Sequence, residues 1–151
     1  MISNTANLVN GLDDCIRKGI KDIEIAAANS IKGLIAERIF THNAGVDDSK
    51  LFGSYRSRSY KNKREKAGLQ TKIKDLQFTG ALRNDFNLGE YNGNIAIGFS
   101  TERSSNIVEG QESEKQIGFP IFSANEEEID ITFENEIEPM FNKMIEECLK
   151  V

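Results

Sequence analysis

The sequence predicts an α+β protein in which a long N-terminal helix and a C-terminal helix pack on a small antiparallel β-sheet. Two observations support this fold class. Apolar residues recur at helical spacing near both ends of the chain, and an Asn92-Gly93 pair between two alternating segments is typical of a β-hairpin turn. With 151 residues the chain suits one domain. We therefore expect residues 1–151 to form a single domain, with an exposed basic insertion at about residues 50–68.

The N-terminal helix is predicted to run from near Thr5 to near Phe40. The Asn and Gly in the following Thr41-His-Asn-Ala-Gly45 favour a helix C-terminus. Such a helix is about 50 Å long at ~1.5 Å per residue, so it should bend near Gly19 or Gly33, or project towards another subunit. Its apolar and small residues step by three or four positions and form a stripe: Leu12, Ile16, Ile20, Ile23, Ala27, Ile31 and Leu34.

The hairpin is predicted to join a strand at residues 82–91 to a strand at residues 94–100. Asn92 and Gly93 both tolerate positive φ, as a type I′ turn requires. Before the hairpin, residues 51–60 alternate weakly and could begin as a strand, whereas residues 61–66 have too little apolar content to pack and are predicted to be an exposed loop. One face of the hairpin is expected to be buried through Leu82, Phe86, Leu88, Ile95, Ile97 and Phe99.

The last third of the chain is predicted to contain a short helix at residues 104–111, a loop at residues 116–122 and a C-terminal helix. Ser123-Ala-Asn-Glu126 matches a capping box at the start of that helix. Pro139 interrupts the helical spacing, so we expect a kink or short break just before it. The apolar positions of this helix are Ile129, Phe133, Ile137, Met140, Phe141, Met144, Ile145, Cys148 and Leu149, and we expect Met140, Phe141 and Met144 to be core residues.

Charge is distributed unevenly along the chain. The formal net charge is −5, but residues 50–75 hold nine basic residues against two acids, a balance of +7. Residues 101–151 hold thirteen acids against four basic residues, a balance of −9. A molecule with this polarity can attract copies of itself head to tail, or bind two different neighbours at its two poles.

The composition argues against an enzyme, and we predict no catalytic residues, no cofactor and no metal. His42 is the only histidine, so one chain cannot build a site that needs two imidazoles, and neither Cys15 nor Cys148 has a catalytic sequence context for pairing with it. Residues 93–100 have the glycine spacing of a phosphate loop, but Phe99 occupies the position of the essential Lys. The acids at residues 126–128 and 130 are more typical of a first helical turn than of a metal or acid/base site.

The cellular setting is predicted from what the sequence lacks. No apolar run approaches the ~18 residues that span a bilayer, and the first residues do not resemble a signal peptide. We therefore expect a soluble, intracellular protein with no membrane partner. In a reducing compartment Cys15 and Cys148, which are far apart in sequence, are expected to be buried thiols and not a disulfide.

The basic segment is the main candidate site, as an arm that docks on protein or lies close to DNA. Its residues are Arg56, Arg58, Lys61, Lys63, Arg64 and Lys66, with Tyr55 and Tyr60 beside the arginines. Arg and Lys bind phosphate and Tyr can stack on bases, which favours nucleic acid. The acidic pI of about 5.0 opposes it, since dedicated nucleic-acid domains usually have a pI above about 9. A solvated loop or an arm that docks on an acidic protein surface explains the same residues.

The order of the elements and of four short motifs resembles the neck and tail-completion proteins of tailed bacteriophages, over most of residues 5–150. Two positions depart from the family pattern: Val108-Glu-Gly110 stands where His-Gln-x-Gly is often found, and Gly118-Phe-Pro120 replaces the usual Arg-Pro. The motifs are Asp75-Leu-Gln-Phe-Thr-Gly-Ala-Leu-Arg83, Ile95-Ala-Ile-Gly98, Ile107-Val-Glu-Gly110 and Phe119-Pro-Ile-Phe122.

This resemblance implies a structural virion protein, assembled in the cytoplasm of a bacterial host, that forms a ring in the neck at the head–tail junction. It implies a hexameric or dodecameric homo-oligomer that contacts portal, adaptor and tail proteins, with genomic DNA passing through the lumen. The arm at residues 56–66 would then reach an adjacent ring or subunit. The chief alternative is a small nucleic-acid-binding module that uses the same segment.

Overall fold

The computed structural model describes residues 2–47, 52–77, 79–113 and 117–150, and its fold class is the predicted α+β. Lys50, Leu51, Phe78 and Gln116, which entered the sequence predictions, lie outside the described residues. The elements are α1 (Ile2–Phe40), α2 (Arg58–Lys66), α3 (Ala81–Asp85), β1 (Phe86–Tyr91), β2 (Asn94–Phe99), α4 (Glu102–Glu112), α5 (Glu126–Thr132), a π-helical turn (Phe133–Ile137) and α6 (Glu138–Cys148).

The chain divides into two compact units. One, here called the terminal helix pair, combines the residues of α1 up to 31 with those from 126 onward. The other, the central unit, comprises residues 32–125. The predicted long helix is confirmed. It runs without a break from Ile2 to Phe40, and it contributes to both units.

The terminal helix pair is antiparallel. Three contacts show this, in which increasing residue numbers along α1 meet decreasing residue numbers along the C-terminal helices. Cys15 is joined to Cys148, a methyl group at Gly19 would overlap the Met144 side chain, and the Ser30 hydroxyl lies 3.2 Å from that of Thr132. The residues on this contact line of α1 are small, which lets the two helices approach closely.

The two cysteines form a disulfide, so the prediction of buried free thiols is wrong. Their Cα atoms lie 5.7 Å apart although 133 positions separate them in sequence. Sequence separation gave no measure of the distance between them, because the antiparallel pairing returns the end of the chain to its beginning. The described residues include no free cysteine.

Pro139 has the predicted effect on the C-terminal helix. The helix passes through a π-helical turn at Phe133–Ile137 and resumes as α6, with the proline in its first turn. Proline has no N–H to donate at that place, and a wider turn accommodates the lost hydrogen bond. The break is therefore a change of helical pitch directly before the proline.

The capping box predicted at Ser123 is wrong by two residues. Helix α5 begins at Glu126, directly after Asn125. The backbone of residues 121–123 is held elsewhere, because the buried guanidinium of Arg38 donates to the carbonyl oxygens of Ile121 at 3.1 Å and Ser123 at 2.7 Å. Because these contacts hold residues 121–123 outside the helix, the helix begins two residues later in the sequence than predicted.

A cluster of aromatic rings forms the core of the central unit. Phe122 lies against Phe99, Phe86 and Phe40, with ring centroids 4.8, 5.1 and 6.1 Å away. Gly45 leaves room for a fifth aromatic residue, since a Cβ atom there would overlap the Phe119 ring. Other buried apolar residues of this unit are Ile35, Ile39, Ala44, Phe52, Leu82, Val108 and Ile121.

The β-hairpin forms at the predicted turn. Tyr91 pairs with Asn94, and the two residues between them, Asn92 and Gly93, have φ of 52° and 79°. The first strand is shorter than predicted, because residues 81–85 form helix α3 after Gly80, whose φ is 72°.

Burial in the hairpin is narrower than predicted. Phe86 is buried and pairs with Phe99, whereas Leu88, Ile95 and Ile97 are only half-buried. The packed end of the hairpin is thus the one that meets the aromatic cluster.

The short helix predicted at residues 104–111 is confirmed as α4. The Thr101 hydroxyl caps it by accepting from the Ser104 N–H, and Thr101 also donates to the Asp85 carboxylate at 2.7 Å. Hydrogen bonds from Ser104 and Thr101 lower the pKa of Asp85. The end of β2 and the start of α4 are therefore tied to α3.

Replacing both cysteines by serine is expected to destabilise the protein. A cross-link over a separation of 133 positions restricts the unfolded chain. In the chain-entropy model, removing it lowers the free energy of unfolding by at most about 5 kcal/mol. Urea unfolding of wild type and of C15S/C148S would measure the difference. Reductant should lower the stability of the wild type and leave that of the double variant unchanged. Two alkylatable thiols in the unreduced, denatured wild type would contradict the disulfide.

Candidate interaction surfaces

The basic segment is a helix and not the predicted exposed loop. The Ser57 side chain caps α2 by accepting from the Tyr60 N–H at 3.3 Å, and the chain leaves the helix through Gly68, whose φ is 72°. Basic residues in the last turn complement the helix dipole. Low apolar content did not prevent a helix here, because the caps, the favourable interaction with the helix dipole and one buried arginine stabilise α2.

That arginine is Arg64, which the sequence placed in the exposed arm. Its side chain is completely buried. It donates to the carbonyl oxygen of Gln70 at 2.8 Å and to the Asp75 carboxylate at 2.7 Å, and its guanidinium lies 4.7 Å from the centre of the Tyr55 ring. Arg64 therefore anchors α2 to the following segment and is unsuited to contact a partner.

Asp75 is the centre of this anchor. It accepts hydrogen bonds from the Tyr55 hydroxyl at 2.9 Å and from the Gln77 N–H at 3.0 Å, as well as from Gln70 and Arg64. Burial alone would raise the pKa of Asp75, but these hydrogen bonds and the Arg64 charge together lower it. Burial raises the pKa of Tyr55 to about 12, so its phenol stays protonated and keeps donating.

The other residues of the predicted arm lie on the outside of the central unit. Arg56, Arg58, Lys63 and Lys66 are exposed and Lys61 is half-buried. At 100° per residue, Arg58 and Lys66 lie on the side of α2 opposite Arg64. Tyr60 is 37% exposed and packs against Tyr55, and Ile73, in the segment that Arg64 anchors, is 42% exposed. By the same rotation Tyr60 lies about 40° from Arg64, on the inner side of α2, whereas Lys61 lies about 60° from Arg58. We call Arg58, Lys61 and Lys66 the α2 surface.

The C-terminal helices bury a different face from the one predicted. Their buried residues are Glu128, Thr132, Met144 and Cys148, which follow the contact line of the terminal helix pair. The large apolar residue that follows each of them is exposed, and so is Phe141, which was expected in the core. The exposed large apolar side chains of these helices are Ile129, Ile131, Phe133, Phe141, Ile145 and Leu149, with exposed fractions from 36 to 75%.

The same offset occurs on α1. Ile16, Ile20 and Ile31 directly follow the contact residues Cys15, Gly19 and Ser30; Ile20 is exposed and the other two are half-buried. A step of one residue along a helix rotates the side-chain direction by about 100°. These apolar residues of both helices follow the contact residues by one position. Because the helices are antiparallel, these rotations bring the apolar residues of α1 and those of the C-terminal helices to the same side of the pair. We call this the apolar face: Ile16, Ile20, Ile31, Ile129, Phe133, Phe141, Ile145 and Leu149.

The two units carry charges of opposite sign. The residues of the terminal unit, 1–31 and 126–151, include thirteen acids and five basic residues, a balance of −8. Those of the central unit, 32–125, include fourteen basic residues and eleven acids, a balance of +3. Glu126, Glu127 and Glu128 begin α5, as the dipole favours, although Glu128 is buried and not solvated as a surface acid would be.

The described part of the chain contains no group of three or more His, Cys, Asp or Glu side chains placed to hold a metal ion. Within the same residues, no helix is both long enough and apolar enough to cross a membrane.

Comparison with protein families, with characterised proteins and with solved structures finds no match for this chain.

Arg64→Met is expected to lower the free energy of unfolding by about 3–5 kcal/mol, because it leaves the largely buried Asp75 carboxylate without its cation. Arg58→Met, on the exposed side of the same helix, is the matched control and should change stability by no more than about 0.5 kcal/mol. Urea unfolding monitored by circular dichroism measures both. Equal effects of the two variants would contradict the anchor.

Tyr55 should make stability sensitive to alkaline pH. Its pKa is raised to about 12 in the folded protein, from an ordinary value of 10.0. Between these values the folded state holds a proton that the unfolded state has lost. The contribution of Tyr55 to the free energy of unfolding is therefore fully present below pH 10 and falls as the pH rises towards 12. Thermal melts of Tyr55→Phe over this range should show a smaller decline than those of wild type. Parallel declines would show that Tyr55 does not contribute.

Proposed function

We propose that this protein is a structural subunit of a bacteriophage virion, which forms an oligomeric ring in the neck at the head–tail junction. The observation that carries the proposal is the apolar face of the terminal helix pair. A chain that leaves Phe133, Phe141 and Leu149 about half exposed or more, at regular helical spacing, has the surface of a subunit that is completed by neighbours.

The motifs that resemble the phage neck family support the assignment to a virion. They follow the long first helix in the expected order: residues 75–83 lead into α3, residues 95–98 lie in β2, residues 107–110 lie in α4, and residues 119–122 precede α5. The aromatic-proline motif at residues 119–122 contributes Phe122 to the centre of the aromatic core, and Gly45 leaves room for Phe119. In this proposal the neighbours are further copies, portal or adaptor proteins and tail proteins, and DNA passes through the lumen.

The second candidate is a nucleic-acid-binding module, which the exposed basic side chains of α2 favour. Arg58 and Lys66 lie on the outer side of that helix, whereas the partly exposed Tyr60 lies on its inner side, against Tyr55. The burial of Arg64 removes one charge from this surface, which weakens the candidate.

The purified full-length chain is expected to form closed oligomers of one size, and antibodies against it should label the neck of phage particles in electron micrographs. Native mass spectrometry gives the copy number. Fluorescence anisotropy with a short DNA duplex, at several salt concentrations, tests the second candidate. A monomer that is absent from virions and binds DNA with an affinity that falls steeply with salt would exclude the neck assignment, because that salt dependence reports released counterions.

A further inference from the structure

The apolar face needs a partner whose charge can be stated. Exposed acids directly follow three of its residues: Asp130 after Ile129, Glu134 after Phe133 and Glu146 after Ile145. The terminal unit as a whole has a charge balance of −8. A second apolar face pressed against the first would bring two units of the same sign together, which costs free energy. The partner surface should instead be basic.

The α2 surface has the matching properties. Arg58 and Lys66 present positive charge to solvent on the outer side of α2, and the half-buried Lys61 lies next to Arg58 around the helix. The long aliphatic stems of Arg and Lys can cover apolar side chains while their charged ends reach neighbouring carboxylates. This surface can therefore bury part of the apolar face and pair with the acids at its edge.

We propose that the apolar face of one copy docks on the α2 surface of a second copy. The proposal rests on the oligomer of the proposed function and names the contact that builds it. The two surfaces differ, so a docked pair keeps one free surface of each kind: the α2 surface of the first copy and the apolar face of the second. Such a heterologous contact repeats from copy to copy and closes into a ring when the rotation between copies permits.

Two charge-reversed full-length variants test the contact. Variant A carries Arg58→Glu, Lys61→Glu and Lys66→Glu, and it keeps Arg64, which is buried. Variant B carries Asp130→Lys, Glu134→Lys and Glu146→Lys. In each variant alone, like charges face each other at every contact, so the dissociation constant for self-association should rise by about a hundredfold or more. Sedimentation velocity measures the association, and circular dichroism confirms that both variants are folded.

An equimolar mixture of A and B is the decisive measurement. The reversed α2 surface of A then meets the reversed edge of B, and the two native surfaces meet at the next contact. Association should return to within about tenfold of wild type, with both variants in the same oligomer. A mixture that stays monomeric, or a variant that associates alone as strongly as wild type, would overturn the proposal. The second result is the one expected if two apolar faces bind each other.

The apolar contribution is tested by Phe133→Asn with Phe141→Asn. Both side chains are about half exposed, so the variant should keep its fold and lose association by about a hundredfold or more. Association equal to wild type would overturn docking through this face. Wild-type rings that persist in A, B and this variant would overturn the contact and leave the proposed function standing. Absence of the chain from virion necks would overturn the proposed function and leave a docking contact supported by the mixture intact.

Discussion

The close approach of the two ends of the chain is the constraint on which the rest of the terminal unit depends. Small residues on α1 let the C-terminal helices approach, and Met144 occupies the space that a side chain at Gly19 would take. A contact line that uses Cys15, Gly19 and Ser30 leaves the neighbouring isoleucines outside it. The apolar surface is thus exposed because the two helices pack through small side chains.

In the central unit, a strongly basic segment forms an ordered helix. Charge repulsion and low apolar content oppose a helix at residues 58–66, yet one arginine turned inward secures it. Arg64 meets a carboxylate, a carbonyl oxygen and an aromatic ring at once, so its buried charge is paired. The remaining basic side chains are then displayed on a fixed helix instead of a mobile loop.

Local rules predicted much of this fold. The extent of α1, the turn at Asn92-Gly93, helix α4 and the break before Pro139 each follow from residues close together in sequence. What the sequence did not reveal depends on distant partners: Arg64 needs Asp75, the disulfide needs an antiparallel helix pair, and Ser123 is held by Arg38. The exposure of the candidate site was misjudged, because Arg64 is buried. A glycine inside the predicted helix, Gly19, was the one available sign of a close contact.

The disulfide also affects how the chain carries force. Because Cys15 and Cys148 are joined covalently, tension applied to the two ends of the chain passes from one terminal segment to the other through a single bond. The whole central unit, with its aromatic core and its α2 surface, lies in a loop outside that path. A pull on the termini can therefore load the terminal segments without stretching the backbone that carries the central unit.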